Sequence, residues 1–390
     1  MKRYLSLDVL RGLTVAFMCI VNNPGTWGKI FPPLEHAPWT GCTPTDLVYP
    51  FFLFCAGCAM AFSFSKFNGL DSAAVKKIVR RGLLIFLVGL LCNLYPFFPY
   101  GSSEPLTWQS WLDWLGGKRI FGVLQRIGIS YMIAGLIAMW LRKPGRIMGA
   151  IAVLSIIYTG ILLIFGSEPG PFTLEGNVSG KIDLALVGDN HVYHGYRDAL
   201  GNRFPFDPEG LLGSMMGACT ALLGFLAGSM ILDAGRKFHA DSSDTHNSPL
   251  GVVSRLLVYG LLSLGLAEVL SIWIPISKPL WSASYVFYAG GWSMVVLGVL
   301  AYFIDYRGVT KPFTMFKIMG TNALTAFVMS AVIAKTMGML HISTAKMFTI
   351  GGIQFFGENE YTSLLWAIIF MFIIFGIQYA LYRKKIIIKL

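Results

Sequence analysis

"FFLFCAGCAMAF", residues 51–62, carries no charged side chain and lies within a longer apolar stretch over residues 45–66. Similar runs recur along the 390-residue chain, which is 55% hydrophobic and only 13% charged. Soluble globular proteins carry about 25% charged residues. A run of roughly 18 or more apolar residues can cross a bilayer as a helix, whereas membrane barrels show short segments of alternating polarity. The sequence therefore predicts an all-α, polytopic transmembrane helical bundle.

About ten spans are expected, in a single transmembrane domain over residues 1–390. They are predicted at 6–23, 45–66, 79–98, 119–141, 147–166, 211–233, 252–274, 281–304, 315–337 and 362–382. Lys and Arg cluster before the first span, after each even-numbered span and at the end of the chain. Because such residues favour the cytoplasmic side, both termini are predicted to be cytoplasmic. Residues 167–210 then form a large extracytoplasmic loop, and residues 233–250 form a cytoplasmic linker.

The net charge of +11 does not indicate nucleic-acid binding, because the cations lie at the ends of the apolar runs, where membrane topology accounts for them. The expected surroundings are a lipid bilayer, and no nucleic-acid partner is expected. Cys55 and Cys58 form a CxxC within a span, which favours packing over redox or metal chemistry. His191 and His194 form an HxxH without further nearby ligands, so no metal site is predicted.

Ionisable residues inside membrane spans are costly and suggest function. Asp8 and Arg11 lie three residues apart near the start of the first span, so they share a helix face and either pair with each other or contact a ligand. Arg119 and Arg126 lie seven apart and are predicted on one stripe of the fourth span, with Gln125 on a neighbouring face. An anionic ligand or a buried carboxylate would suit Arg126. A purely structural ion pair is an equal alternative.

Two acidic residues, Asp207 and Glu209, precede the sixth span in "FDPEGLLGS". Acidic side chains at a helix start interact favourably with the helix dipole, and proline suits a first turn. Helix capping and a role in substrate binding are therefore both open for this pair.

The segment between the first two spans is unusually polar and rich in proline. It contains His36, with Asn22 at the end of the first span and Asp46 at the start of the second. Histidine changes its charge near neutral pH, which suits proton removal from a nucleophile, although a lone histidine is more often structural. Trp39 in the same segment either stacks on a sugar or belongs to the interfacial aromatic belt.

Five stretches are similar to one known family and occur in the same order. They are "RYLSLDVLRGLTVAFMCIVNNPG" (3–25), "LEHAPWTGCTPTDLVYPFFLFCAG" (34–57), "RIFGVLQRIGISY" (119–131), "FDPEGLLGSMMGACTALLGFLAG" (206–228) and "KPLWSASYVFYAGGW" (278–292). They resemble the heparan-α-glucosaminide N-acetyltransferase family and its bacterial transmembrane glucosamine N-acetyltransferase relatives. The chain begins directly with the transmembrane core, which favours the bacterial relatives and a bacterial inner membrane.

The resemblance implies an enzyme that uses cytosolic acetyl-CoA to acetylate the amine of a glucosamine on the far side of the membrane. The family's proposed catalytic residues match His36, Asn22 and Asp46.

The donor is expected to contact the basic and amide side chains of the predicted fourth and first spans, namely Arg126, Gln125, Arg119 and Arg11. The amino sugar is expected to contact Trp39, Glu209 and Asp207. No metal is expected, and a homodimer is left open. The rival interpretations are O-acylation of a surface polysaccharide and transport without chemistry.

Overall fold

The computed structural model describes residues 4–67, 69–100, 107–342, 349–350, 353–354 and 357–388. The basic residues predicted to mark the two ends of the chain, at 2–3 and 389, lie outside these ranges. Thirteen helices are present in the described residues: α1 (Leu5–Val21), α2 (Val48–Phe64), α3 (Ser72–Leu94), α4 (Trp108–Gly116), α5 (Val123–Leu141), α6 (Pro144–Phe165), α7 (Val178–Val187), α8 (Leu211–Ala240), α9 (Pro249–Ser271), α10 (Ala283–Ala301), α11 (Thr314–Thr321), α12 (Ala323–Met339) and α13 (Glu360–Arg383).

The all-α membrane architecture agrees with the prediction. Seven helices in the described ranges are long and apolar enough to cross a membrane, or eight if α11 and α12, which meet at a 73° bend, form one broken span. The remaining two predicted spans correspond to α1, which has 17 residues, and α3, whose first half carries four basic residues. Ten spans and cytoplasmic termini therefore stay predictions.

Besides these α-helices, six short 3-10 or π-helical turns and two short antiparallel strand pairs occur in the described residues. The strand pairs are β1 (Tyr196–Arg197) with β2 (Arg203–Phe204), and β3 (Thr349–Ile350) with β4 (Ile353–Gln354). The first pair and α7 both lie within the predicted loop 167–210, so this loop is folded. Part of the predicted linker 233–250 is also helical, because α8 continues to Ala240.

The main core lies where α2, α5, α8 and α10 meet. α2 and α8 approach each other closely through glycine. A side chain at Gly57 would overlap the backbone oxygen of Ala221, and one at Gly224 would overlap the backbone oxygen of Phe54. Only a residue without a Cβ allows this backbone contact. A second core forms between α1, α12 and α13, and it packs beside the first through α1.

Several connections gather at one end of the bundle, which we name the loop end: residues 22–47, 95–100, 107–122, 166–210 and 272–282. Backbone bonds join them to one another. Gly41 N donates to Ile276 O at 2.8 Å, and Ile120 N donates to His191 O at 3.1 Å. The Trp39 indole donates to Phe172 O at 2.7 Å. These bonds hold residues that are distant in sequence around one cavity.

Candidate active site

His36 and Asp46 form a close pair at the loop end. His36 Nδ1 lies 2.7 Å from Asp46 Oδ1. The Asp46 side chain is 1% exposed, whereas that of His36 is 48% exposed. A buried carboxylate beside Nδ1 accepts a hydrogen bond from it, so the proton of the neutral ring is assigned to Nδ1. Nε2 is then left with its lone pair and can act as a base.

The local sequence explains why Asp46 is held rigidly. Pro44–Leu47 forms a 3-10 turn that leads into α2, and the backbone and side chain of Thr43 bond reciprocally with Asp46. Asp46 Oδ2 accepts from Ala37 N at 3.0 Å, Thr43 N at 3.1 Å and Thr43 Oγ1 at 3.1 Å. On the other side, the Tyr285 hydroxyl donates to the Asp46 carbonyl at 2.6 Å. These bonds satisfy the buried carboxylate and fix the ring of His36.

A third charged group, Lys278, completes this cluster. Lys278 Nζ lies 3.2 Å from Asp46 Oδ1 and 3.1 Å from His36 Nδ1. Its side chain is 19% exposed. Lys278 opens the stretch 278–292 that resembles the family, but nothing in its sequence position placed it beside His36. Sequence reasoning missed this residue.

The pair opens into a cavity of about 280 Å³. The cavity is lined by His36, Ala37, Asp46, Arg119, Val123, Tyr193, Tyr196, Pro208, Glu209, Lys278, Pro279 and Trp281. Among the predicted site residues, the structure thus brings together His36, Asp46, Arg119 and Glu209. The two tyrosines were also missed, although they lie in the stretch "HVYHGY", 191–196, whose histidines drew attention first.

Arg119 binds both acidic residues that precede α8. Its Nε donates to Asp207 Oδ2 at 2.8 Å and its Nη2 to Asp207 Oδ1 at 2.6 Å, and Nη2 also contacts Glu209 Oε2. Burial alone would raise the pKa of Glu209, but the charge of Arg119, followed by that of Arg126, outweighs it and holds this pKa below its usual range. Capping of α8 by these two acids is not what the structure shows. Asp183 Oδ1 accepts from Leu211 N at 2.9 Å instead.

The expected helical stripe of Arg119 and Arg126 is wrong, because α5 begins at Val123 and Arg119 precedes it. The reason lies in a tertiary contact. The Asn93 side chain donates to the carbonyls of Arg119 and Phe121, both at 3.1 Å, and holds this segment in a non-helical conformation. As a result, Arg119 lies outside α5 and its side chain lines the cavity.

Arg126 and Gln125 are both 1% exposed. Arg126 Nη2 donates to Gly210 O at 3.1 Å, and its guanidinium lies 5.2 Å from the centre of the Trp281 ring. Its Nε and Nη1 are buried without a hydrogen-bond partner in the described part of the chain. Gln125 donates to Ile120 O at 2.9 Å. Arg126 therefore lies behind the cavity wall with donor capacity to spare.

Besides Arg126, Gln125 and Asp207, three more predicted site residues lie outside this cavity lining. Asn22 is exposed at the C-terminal end of α1. Trp39 packs edge-on against Tyr196 and Phe206, with ring centres 5.7 and 5.1 Å away, so it supports the cavity wall. Arg11 lies on α1 with its Nη1 3.5 Å from Asp8 Oδ1, as expected of residues three apart on a helix.

The HxxH histidines each have another partner. His191 Nδ1 lies 2.7 Å from Lys118 O, and His194 Nε2 lies 3.2 Å from Asp189 Oδ1. Over the ranges that the structure describes, no group of three or more His, Cys, Asp or Glu residues could hold a metal ion. Cys55 and Cys58 are buried in the core as free thiols.

Comparison with known proteins gives matches over much of the chain. Residues 3–169 match the family model for the catalytic region of heparan-alpha-glucosaminide N-acetyltransferase. The chain is 28% identical to the human heparan-alpha-glucosaminide N-acetyltransferase, over 84% of this chain and 52% of the human protein. It is also 28% identical to the mouse protein of that name, over 84% of this chain and 53% of the relative. The chain is a relative of these N-acetyltransferases.

These matches support the family prediction. The match to the family model covers His36, Asp46, Arg119 and Arg126, whereas Glu209 and Lys278 lie beyond it. The chain spans about half the length of the curated relatives it matches.

Proposed function

We propose that this protein is a transmembrane N-acetyltransferase that moves an acetyl group from acetyl-CoA to the amine of glucosamine or of a terminal glucosaminide. One observation carries the proposal: a histidine held by a buried aspartate opens into a cavity, in a chain related to N-acetyltransferases. A histidine base whose second ring nitrogen is fixed by a carboxylate is an arrangement that can assist acyl transfer to an amine.

The transfer step uses the lone pair of the sugar amine. The neutral amine attacks the thioester carbonyl, so that an N–C bond forms while the C–S bond breaks. His36 Nε2 takes the proton released from nitrogen, and the CoA thiolate leaves and is protonated in turn. Asp46 stabilises the imidazolium that forms. Because the amine must be neutral, the rate is expected to rise with pH until the amine is fully deprotonated.

The acceptor is proposed to occupy the cavity beside His36. Tyr193 and Tyr196 offer aromatic faces to a sugar ring, and the Glu209 carboxylate attracts the ammonium form of the amino sugar on entry. Asp207 acts through Arg119, which it holds against Glu209. Asn22 is not among the residues that line this cavity, so it is given no role in this proposed step.

The donor is proposed to approach from the opposite end of the bundle. A larger cavity of about 510 Å³ lies there, between the start of α1 and the end of α8, and its lining includes Arg236 and His239. The basic bias of the loops assigns that end to the cytoplasm, and in a bacterial inner membrane the loop end would face the periplasm. Arg126 Nε and Nη1 have no partner in the described part of the chain, and we propose that Arg126 positions the donor's acyl end, with Gln125 bracing the segment before α5.

Acetyl transfer by the purified protein tests the proposal. Radiolabelled acetyl-CoA is supplied with glucosamine or with N-acetylglucosamine, and the labelled product is separated. Label is expected on glucosamine alone, and His36→Ala should abolish it. Label on N-acetylglucosamine would indicate O-acylation, and no label on either acceptor would favour transport. Label retained on His36 in the absence of acceptor would indicate a histidine-bound acetyl intermediate.

A further inference from the structure

We propose that Lys278 is a positioning residue that keeps His36 in its unprotonated, base-competent form by occupying Asp46. This inference rests on the proposed function only in its consequence for catalysis. Its physical basis is the three-residue contact itself.

The distances place two potential cations on one carboxylate oxygen. Asp46 Oδ1 lies 2.7 Å from His36 Nδ1 and 3.2 Å from Lys278 Nζ, and the two nitrogens lie 3.1 Å apart. A lysine ammonium has donors only. Since Nδ1–H already donates to Asp46, the short contact between the two nitrogens is not a hydrogen bond. It brings an ammonium close to the imidazole.

Protonation of His36 would therefore place a second positive charge 3.1 Å from the first. Opposite charges stabilise an imidazolium, and like charges oppose it. With Lys278 present, the charge of Asp46 is shared, so the carboxylate stabilises the imidazolium less than it would alone. Without Lys278, Asp46 would pair with His36 alone and would favour its charged, inactive form.

The other charged and titratable groups around this cavity do not replace Lys278. They are Arg119, Tyr193, Tyr196 and Glu209. Arg119 is bound by Asp207 and Glu209, so its charge is matched locally. The His36 loop and the α9–α10 connection thus supply one carboxylate, one imidazole and one ammonium in mutual contact. The charge of Lys278 also acts on Glu209, and the charges of Lys278 and Asp46 act on the Cys42 thiol in opposite directions.

The backbone holds Lys278 in this place. Its carbonyl accepts from Trp281 N at 3.0 Å, and Trp281 is 1% exposed. Immediately before it, Ser277 N donates to Ser282 Oγ at 3.1 Å and Ser277 pairs with Gly41 of the His36 loop. The backbone of Lys278 is therefore held in place, which limits where its side chain can put the ammonium.

The experiment compares Lys278→Met with Lys278→Arg, which keeps the charge, and with Lys29→Met. Lys29 lies in the same loop as His36 but pairs with Glu360 and is half-exposed. His36 is modified with diethyl pyrocarbonate, which reacts with the unprotonated ring, and the modified peptide is quantified by mass spectrometry across pH. This readout requires no acetyltransferase activity.

In Lys278→Met, the pH of half-maximal modification of His36 is expected to rise by about one unit or more. The modification curves of Lys278→Arg and Lys29→Met should match that of the parent protein. The acid limb of kcat/KM should shift by the same amount, and activity should recover at high pH. An unchanged modification curve in Lys278→Met would overturn the inference, as would a loss of kcat that is equal at every pH. Thermal unfolding of each variant separates these results from misfolding.

If none of the proteins transfers acetyl groups, the proposed function fails, but the modification curves still decide the role of Lys278.

Discussion

The two ends of the bundle each contain a cavity, and they differ in how their charges are held. At the loop end, His36, Asp46 and Lys278 are in mutual contact around a carboxylate that is 1% exposed. At the other end, the cavity is larger, yet Arg236 is paired with Asp233 three residues away at 3.9 Å, with both side chains more than half exposed. Buried, interacting charges often mark functional sites, whereas exposed ion pairs contribute little to stability. The buried, paired charges therefore favour the loop end as the reactive end, although its cavity is the smaller of the two.

The largest effect is expected from a substitution of His36. His36→Ala removes the base, so kcat should fall by about 100-fold or more. The unfolding temperature should hardly change, because the side chain is half-exposed. Steady-state acetyl transfer and thermal unfolding are measured together. A variant with near-normal kcat would show that the reactive centre lies elsewhere.

Arg119→Met should act mainly on stability. It leaves Asp207, which is 1% exposed, and Glu209 without their shared cation, and an uncompensated buried charge costs about 3 kcal/mol. Thermal unfolding of the solubilised protein measures the loss. Arg203→Met, at an exposed site on β2, is the control and should have little effect.

The triple variant Arg119→Met, Asp207→Asn, Glu209→Gln should recover part of the stability, because no unpaired charge remains. If the triple variant is no more stable than Arg119→Met, charge does not account for the stability that the contacts of Arg119 with Asp207 and Glu209 provide.

A pH effect is expected at Asp183. Burial, opposed by the bond from Leu211 N, raises the pKa of this carboxyl to about 6. The folded state thus binds the proton more tightly than the unfolded state, so this group's contribution to stability falls as pH rises from about 4 to about 6. Asp183→Asn should remove that slope and should stabilise the protein at neutral pH by about 2 kcal/mol.

The measurement is the difference in unfolding midpoint between Asp183→Asn and the parent protein at each pH. The exposed Asp113→Asn serves as the control and should follow the parent protein. A difference that stays constant with pH would contradict the assignment.

The smallest effect is expected at the opposite end. Arg236→Ala should raise the KM for acetyl-CoA about threefold and leave kcat unchanged, as expected for one exposed charge that contacts a ligand. Initial rates at varied acetyl-CoA concentration give both constants. If kcat falls as far as in His36→Ala, the contrast between the two ends fails.

Much of the fold follows from the sequence because long apolar runs have one stable form in a membrane. Each of the ten predicted spans coincides with a helix or a bent helix pair. The boundaries were less accurate where a tertiary contact competes with helix formation, as at Arg119, which Asn93 holds outside α5. α8 extends beyond the predicted span. Its last turns are polar, so a prediction from hydropathy alone stops before the helix ends.

His36 and Asp46 could be predicted as a pair because they are only ten residues apart, in a short proline-rich segment between two helices. Helix geometry also related Asp8 to Arg11. Such local relations depend on chain spacing, which the sequence states directly. The role of Asp207 and Glu209 stayed open, because their partner Arg119 lies about 90 residues away.

The sequence by itself indicated the membrane class and grouped His36 with Asp46 and Asn22, since these depend on composition or on residues close along the chain. Only the tertiary structure decided the third member of the cluster. Lys278 lies 242 residues from His36, and it reaches Asp46 because the α9–α10 connection bonds to the His36 loop at Gly41. A contact of this kind arises from helix packing and loop bonding, which fix positions in space that spacing along the chain does not encode.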